Sequence, residues 1–293
     1  MNYFTGEPLL LVIQGYSTSF HWPHFLKRKL DTHFGSDHAI EVRWATKGLT
    51  PIAKWMDPET GRRLETWHEV ITPALKGKGE GPKVVLAQES LQGVFGAPSE
   101  GIRDADDDRR IRKGKAVLRR FAENLLEDGA DRVVIATHIY KHPLEPAIGN
   151  ERLALAALLE EGLEGVSGGP DVWTPTRDHF PEAYDTDGLH PGYIGAEIMA
   201  HHWFVTLLEE NGRPIPSWSA EALETVISGD PMSTRMMRYD GLVPDQNLQG
   251  SERWKKVLER FDADCDGRLN PAEEARWKAD EIARILSGGK PEE

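Results

Sequence analysis

Short apolar runs rich in β-branched residues alternate along the first two thirds of the chain with segments of helical periodicity. The runs predicted to be strands are residues 9–13, 39–44, 84–87 and 133–136. Amphipathic spacing predicts helices over residues 112–128, 151–161 and 193–210. Because buried strands that alternate with helices favour a parallel sheet, the sequence predicts an α/β domain with helices on both faces of that sheet.

The composition of the chain changes after residue 212. Arg213-Pro214-Ile215-Pro216 cannot continue a helix, because proline lacks an amide hydrogen, so residues 213–218 are predicted to be a linker. The length of 293 residues also exceeds the usual size of one compact domain. We therefore expect a larger domain over residues 1–212, a small module over 219–286 and a tail over 287–293.

Charge and composition exclude several classes of partner. The formal net charge of −13 argues against nucleic acid as a ligand, and no apolar run is long enough to span a membrane. Cys265 is the single cysteine, which excludes an intramolecular disulfide. No signal-like segment precedes the first strand, so we expect a cytoplasmic protein, or a secreted or periplasmic one if a signal has been removed. No pattern indicates an oligomeric state.

A serine follows the first predicted strand directly. The segment Gly15-Tyr16-Ser17-Thr18-Ser19 puts Ser17 on a sharp turn between a strand and a helix, where a hydroxyl is exposed and backbone N–H groups point toward it. Serines in turns also cap helices, so this segment alone leaves a catalytic and a structural interpretation open.

A carboxylate and an imidazole stand together far downstream. In Asp187-Gly188-Leu189-His190-Pro191 the aspartate precedes the histidine by three residues. This spacing lets Asp187 accept a hydrogen bond from one ring nitrogen of His190 while the other faces a nucleophile. The sequence therefore predicts a catalytic triad of Ser17, Asp187 and His190, with no metal required for catalysis.

These two segments resemble the first and fifth sequence blocks of the SGNH (GDSL-type) hydrolases. The resemblance covers about residues 8–212 and is clearest over residues 187–200, DGLHPGYIGAEIMA. The family usually carries Gly-Asp-Ser at the nucleophile, whereas this chain has Tyr16 in place of that aspartate, which is not a triad member. The resemblance implies a three-layer α/β/α, flavodoxin-like domain that hydrolyses esters with a serine nucleophile.

The resemblance also implies an oxyanion hole. The backbone N–H groups of Ser17 and Gly48 occupy the matching places in this chain. The family's third donor is an asparagine after the third strand, where this chain has Gln88-Glu89-Ser90-Leu91-Gln92. Either Gln88 or Gln92 is expected to supply the equivalent amide, because the loss of one oxyanion donor costs about 3 kcal/mol.

Residues 262–273, DADCDGRLNPAE, have the ligand pattern of an EF-hand calcium loop. Carboxylates stand at loop positions one, three, five and twelve, and Gly267 at position six permits the bend. The expected ligands of one structural calcium ion are the carboxylates of Asp262, Asp264, Asp266 and Glu273 and the backbone carbonyl of Arg268. Residues 236–246 resemble a second, degenerate hand, and an ordinary helix-turn is an equal alternative.

The sequence as a whole predicts a serine ester hydrolase followed by a small all-α EF-hand module. The expected substrate is an O-acylated, carbohydrate-like small molecule or glycan, which the enzyme would deacetylate. Two alternatives remain open: a lipase- or thioesterase-type acyl hydrolase, and a calcium-binding protein whose catalytically impaired hydrolase domain acts in binding.

Overall fold

A five-stranded parallel sheet forms the centre of the larger domain. The computed structural model describes residues 4, 6–35, 38–76, 81–97, 99–180, 183–184, 188–217, 223–224, 227 and 252–287. The strands are β1 (Leu9–Gly15), β2 (Ile40–Thr46), β3 (Lys83–Gln88), β4 (Arg132–Ile135) and β5 (Val166–Gly168). Their order in the sheet is β2-β1-β3-β4-β5, and all neighbouring pairs are parallel. The order reverses between β1 and β3, and open α/β sheets bind ligands beyond the carboxyl ends of their strands at such a point.

Helices cover both faces of this sheet. Within the described residues they are α1 (Trp22–Phe34), α2 (Ile52–Trp55), α3 (Glu65–Leu75), α4 (Asp108–Glu127), α5 (Glu151–Leu159), α6 (Trp173–Asp178), α7 (Tyr193–Glu210), α8 (Glu252–Phe261) and α9 (Pro271–Leu286). Side chains of β1 alternate between the two faces: Leu11 packs with α1 and α7, whereas Val12 packs with α3, α4 and α5. The predicted three-layer α/β/α architecture is thereby confirmed. None of the described helices is both long and apolar enough to cross a membrane.

The structure contains elements that the hydrophobic pattern did not predict. β5 is only the tripeptide Val-Ser-Gly, too short and too polar to stand out from a loop. Six of the thirteen residues of helix α1 are charged or histidine, and one of them, Lys29, is buried. Helix α3 contains Pro73, so both helices depart from simple amphipathic spacing. The predicted strands and the three predicted helices all form, with bounds shifted by a few residues.

The predicted EF-hand segment forms a helix-loop-helix of α8, residues 262–270 and α9. Trp254 of α8 packs edge-on against Trp277 of α9, with ring centroids 5.7 Å apart. The apolar side of α9 also packs against α7 and shares its core, through Ala275, Ala279, Ile282 and Ile285. The linker therefore does not hold this hand apart from the larger domain. The proposed second hand at residues 236–246 lies outside the described residues.

Candidate active site

Ser17 lies at the carboxyl edge of the sheet, two residues beyond the end of β1. Gly15, the last residue of β1, pairs with Thr46 of β2 and Gln88 of β3, so three strands end side by side there. Ser17 then opens a single 3-10 turn, Ser17–Ser19. A Cβ atom on Gly15 would lie 2.4 Å from the Ser19 hydroxyl oxygen, so this tight turn requires glycine.

His190 faces the Ser17 hydroxyl across the site. Its Nε2 atom lies 2.9 Å from Oγ of Ser17, although the two residues are 173 positions apart in the chain. A neutral imidazole that accepts the hydroxyl proton at Nε2 is the arrangement of a nucleophile with its general base. The structure therefore brings two of the three predicted triad residues together. Asp187 lies outside the described residues, and its role stays a prediction.

Backbone contacts hold the segment around His190 against the start of α7. Tyr184 forms an antiparallel bridge with Pro191, and the N–H of Gly192 donates to the carbonyl of Ala183 over 3.0 Å. Gly195 permits this approach, since a Cβ there would lie 1.9 Å from the same carbonyl oxygen. Gly195 thus allows the start of α7 to pack closely against the segment that precedes His190.

Gly48 follows β2 and lies beside the 3-10 turn Ser17–Ser19. A Cβ atom added to it would be 3.6 Å from the Phe20 ring, so Gly48 and Phe20 are neighbours. The Thr50 hydroxyl donates to the Gly48 carbonyl over 2.9 Å, which fixes the peptide after Gly48. Leu49 has a φ of 58° and is 88% exposed. That conformation is uncommon for a leucine, and here it presents an apolar side chain to solvent beside the site.

The two candidate glutamines occupy different environments. Gln88 is fully buried, and its Oε1 accepts from Trp22 Nε1 at 3.1 Å and from Ser19 Oγ at 3.2 Å. An indole N–H can only donate, so the oxygen must face Trp22 and the amide nitrogen must point the other way. Among the described residues Nε2 of Gln88 has no hydrogen-bond partner. Gln92 is half-buried, and its backbone N–H donates to the Ser90 hydroxyl.

A buried polar cluster around Tyr16, the residue before Ser17, was not predicted from the sequence. The Tyr16 hydroxyl hydrogen-bonds Nε2 of His138 and accepts from Nζ of Lys141 at 3.0 Å. All three side chains are less than 8% exposed. Burial lowers the pKa of His138, and the nearby Lys141 charge lowers it further, so His138 is neutral. Tyr16 lies more than 120 residues before His138 and Lys141, so no local sequence pattern could have predicted this contact.

Two buried glutamates lie next to this cluster. Glu89 accepts from Gln14 Nε2 at 2.6 Å and Trp55 Nε1 at 2.7 Å, and Glu151 accepts from the Ser90 hydroxyl at 3.1 Å. Burial raises the pKa of Glu89 to about 8 and that of Glu151 to about 8. Both carboxyls and His138 line a cavity of about 20 Å³. A cavity of that size and polarity suits one water molecule.

Three carboxylates converge in the loop between α8 and α9. Oxygens of Asp262, Asp264 and Glu273 lie within 4.8 Å of one another. The Asp262 carboxylate accepts the N–H groups of Asp266 and Gly267, and the Glu273 carboxylate accepts those of Ala263 and Asn270. These bonds close the loop back onto its own first and last carboxylates.

The carboxylate of Asp266, another predicted calcium ligand, is not in this group of three. Oδ1 of Asp266 accepts from the N–H of Arg268 at 2.8 Å, so this carboxylate bends toward the following backbone. Gly267 has a φ of 82°, which permits the predicted bend at loop position six. Cys265 is exposed, as its place in the loop predicts. Asn270 caps α9, with its side chain accepting from the N–H groups of Ala272 and Glu273.

No protein-family model matches the chain, nor does the sequence of any curated protein. Solved structures do resemble it. A variant of the acetyl-xylooligosaccharide esterase Axe2 from Geobacillus stearothermophilus is 14% identical, with 71% of this chain and 96% of that chain covered and a TM-score of 0.50. A second variant of that esterase gives the same values. A lipolytic G-D-S-L family member from Veillonella parvula is 13% identical, with 66% and 95% covered and a TM-score of 0.43. The likeness to Axe2 shows that the larger domain has the α/β fold of that esterase.

Proposed function

We propose that this protein is a serine ester hydrolase in which Ser17 is the nucleophile and His190 the general base. The observation that carries the proposal is the 2.9 Å approach of His190 Nε2 to Ser17 Oγ at the carboxyl edge of the sheet. His190 takes the hydroxyl proton as Ser17 attacks the ester carbonyl, and then gives it to the departing alcohol. A water molecule, activated by the same imidazole, releases the acyl group. Asp187, three residues before His190, is assigned to the other ring nitrogen.

The oxyanion of the tetrahedral intermediate rests on backbone and side-chain donors in this proposal. The N–H groups of Ser17 and Gly48 are the backbone donors. Gln88 is the better side-chain candidate, because its oxygen is held by Trp22 and Ser19 while its buried Nε2 has no partner among the described residues. A buried amide fixed in this way is organised before the reaction, which is the property an oxyanion donor needs.

The proposed substrate is an O-acylated carbohydrate that loses an acetyl group. Phe20 lies against Gly48 and is 38% exposed, and the exposed Leu49 follows directly. Apolar side chains beside a hydrolytic site can pack against the apolar face of a sugar ring while its hydroxyls remain hydrated. Axe2, which shares the fold of the larger domain, is an acetyl-xylooligosaccharide esterase, and this agrees with the proposed substrate.

The test of the proposed function is turnover of a short-chain chromogenic ester, followed by acetate release from acetylated xylo-oligosaccharides. The parent is expected to hydrolyse both, and Ser17→Ala is expected to lose activity while it keeps its melting temperature. Ser167→Ala, which removes a half-buried hydroxyl on β5 at the edge of the sheet, serves as the control. Equal turnover by the parent and Ser17→Ala would contradict the assignment. A folded parent without any esterase activity would favour the alternative of a binding protein.

We also propose that the α8-α9 loop binds one structural calcium ion. Oxygen ligands lie 2.3–2.6 Å from calcium, so oxygens bound to one ion lie within about 5 Å of each other. The carboxylates of Asp262, Asp264 and Glu273 meet this condition. Asp266 and the Arg268 carbonyl would complete the set. The ion would neutralise carboxylates that otherwise repel one another, and catalysis at Ser17 uses no metal.

A further inference from the structure

The Tyr16 side chain connects the nucleophile turn to a strand that is not its neighbour. Tyr16 follows β1, whereas His138 and Lys141 follow β4, and β3 lies between those two strands in the sheet. The tyrosine ring therefore passes over the end of β3 to place its hydroxyl between His138 and Lys141. Nζ of Lys141 also lies 4.8 Å from the centre of this ring.

The hydrogen-bond directions in this contact are fixed by chemistry. Nδ1 of His138 lies 2.7 Å from the carbonyl oxygen of Ile139, so Nδ1 must carry the proton that it donates there. Nε2 of the neutral ring is then an acceptor, and the Tyr16 hydroxyl donates to it. The Lys141 ammonium has only protons to give, so it donates to the same hydroxyl oxygen. The hydroxyl thus donates to His138 and accepts from Lys141.

This contact acts on the residue that performs the chemistry. The peptide that joins Tyr16 to Ser17 carries the Ser17 N–H, the proposed oxyanion donor. Tyr16 is extended, with φ −114° and ψ −155°, and a change in its ψ would rotate that N–H directly. A side chain anchored at both its ring and its hydroxyl restrains this rotation. The aspartate that SGNH hydrolases usually carry here is too short to cross β3.

We propose that Tyr16 is a positioning residue that, held by His138 and Lys141, fixes the orientation of the Ser17 N–H for oxyanion stabilisation. This inference rests on the proposed esterase function. An oxyanion donor contributes in the transition state and little to the bound substrate, so its misplacement lowers kcat and leaves KM nearly unchanged. A tyrosine that served stability alone would instead lower the melting temperature and the fraction of folded enzyme.

The test compares kcat, KM and the titratable fraction of Ser17 in four variants of the full chain. Complete labelling with a phosphonate ester counts the active sites, so kcat is expressed per site. Tyr16→Phe keeps the ring and loses the hydroxyl, and Lys141→Met loses the donor to that hydroxyl. The double variant removes both groups. Tyr140→Phe is the matched control, since its hydroxyl binds His142 Nδ1 at 2.9 Å on the same loop without contacting the nucleophile turn.

Tyr16→Phe is expected to lower kcat per site about 10- to 100-fold, with KM and the titratable fraction within about twofold of the parent. Lys141→Met should show a smaller loss of the same kind, and the double variant should equal Tyr16→Phe, because Lys141 acts through that hydroxyl. Tyr140→Phe should match the parent. An unchanged kcat per site in Tyr16→Phe, or a loss that disappears on titration, would overturn the inference. A parent without Ser17-dependent turnover would overturn the proposed function, and this assignment with it.

Discussion

Nζ of Lys29 lies 2.7 Å from a carboxylate oxygen of Glu197, and both side chains are buried. Lys29 belongs to α1, which begins five residues after Ser17, and Glu197 belongs to α7, which begins three residues after His190. Arg28 contacts the same carboxylate from α1. A charged contact therefore joins the two helices that follow Ser17 and His190. The separation of Ser17 and His190 is set by helix packing as well as by their loops.

Glu197→Gln is expected to destabilise the protein by about 3–5 kcal/mol, because it leaves the buried Lys29 ammonium without a counter-charge. Burial, and then the nearby Arg28 charge, lower the pKa of Lys29 well below its usual value, so these surroundings disfavour the ammonium. The Glu197 carboxylate beside it is the charge that favours the ammonium. The measurement is the free energy of unfolding in urea. A Lys29→Met, Glu197→Leu double variant should recover most of the loss. If the free energy of unfolding lost in the double variant equals the sum of the losses in the two single variants, the effect comes from packing and not from charge.

The buried carboxyls of Glu89 and Glu151 are expected to make stability fall as pH rises from about 6.5 to about 8. This window lies above the range in which the buried His138 and the half-buried His201 and His202 take up protons in the unfolded state. The folded-state pKa values of Glu89 and Glu151 are about 8, against an ordinary value of 4.5. The folded state therefore retains protons that the unfolded state releases in this window, and each group contributes up to about 1.4 kcal/mol per pH unit. This contribution is fully present below the ordinary pKa and is lost as pH passes the folded pKa.

Urea unfolding between pH 5 and pH 9 measures this dependence. Glu89→Gln and Glu151→Gln should each flatten the slope, since an amide does not titrate. Glu161→Gln is the control, because this carboxylate is on the surface and pairs with Lys115, which lowers its pKa. An equal slope in the parent and in both buried variants would contradict the prediction.

Alanine substitution should distinguish the two candidate oxyanion glutamines. Gln88→Ala is expected to lower kcat about 100- to 1,000-fold with little change in KM, as loss of an oxyanion donor does. Gln92→Ala should leave kcat within about twofold, because Gln92 is half-buried and stands beyond Ser90. Steady-state kinetics on the chromogenic ester, with the melting temperature of each variant, gives the answer. The opposite order of effects would assign the donor to Gln92.

Much of this arrangement is predictable from the sequence. The apolar runs locate four of the strands, because each buried strand is a short, self-contained signal. Ser17 and His190 each lie in a local sequence pattern from which their proposed roles are predicted. The contacts of Tyr16 with His138 and Lys141 depend on strand order, which brings distant segments together without a shared spacing. The packing of α9 on α7 could not be predicted for a related reason. A proline-rich linker indicates where a helix ends, but it does not indicate which surface the following helices pack against.

Calcium is expected to stabilise the protein by binding its folded form, by about 2.7 kcal/mol at a concentration 100 times Kd, and so to raise its melting temperature. Because α9 shares a core with α7, the gain should extend to the main unfolding transition. Calorimetric titration should give one ion per chain. Glu273→Gln should weaken binding, while Glu259→Gln, an exposed position on α8 outside the loop, should not. Equal calcium affinity in Glu273→Gln and the parent would contradict the assigned ligands.

Because α9 packs on α7, removal of the C-terminal segment would affect the larger domain. A protein cut at residue 212 would keep Ser17, Gly48 and His190, yet the side of α7 that α9 covers would face water. Tyr193, whose ring lies 5.0 Å from the Lys278 ammonium, stands at the start of that side and three residues from His190. Exposed apolar stripes of this kind promote self-association. The segment of α8 and α9 thus keeps an apolar side of the larger domain from water, and a protein shortened at residue 212 is expected to self-associate.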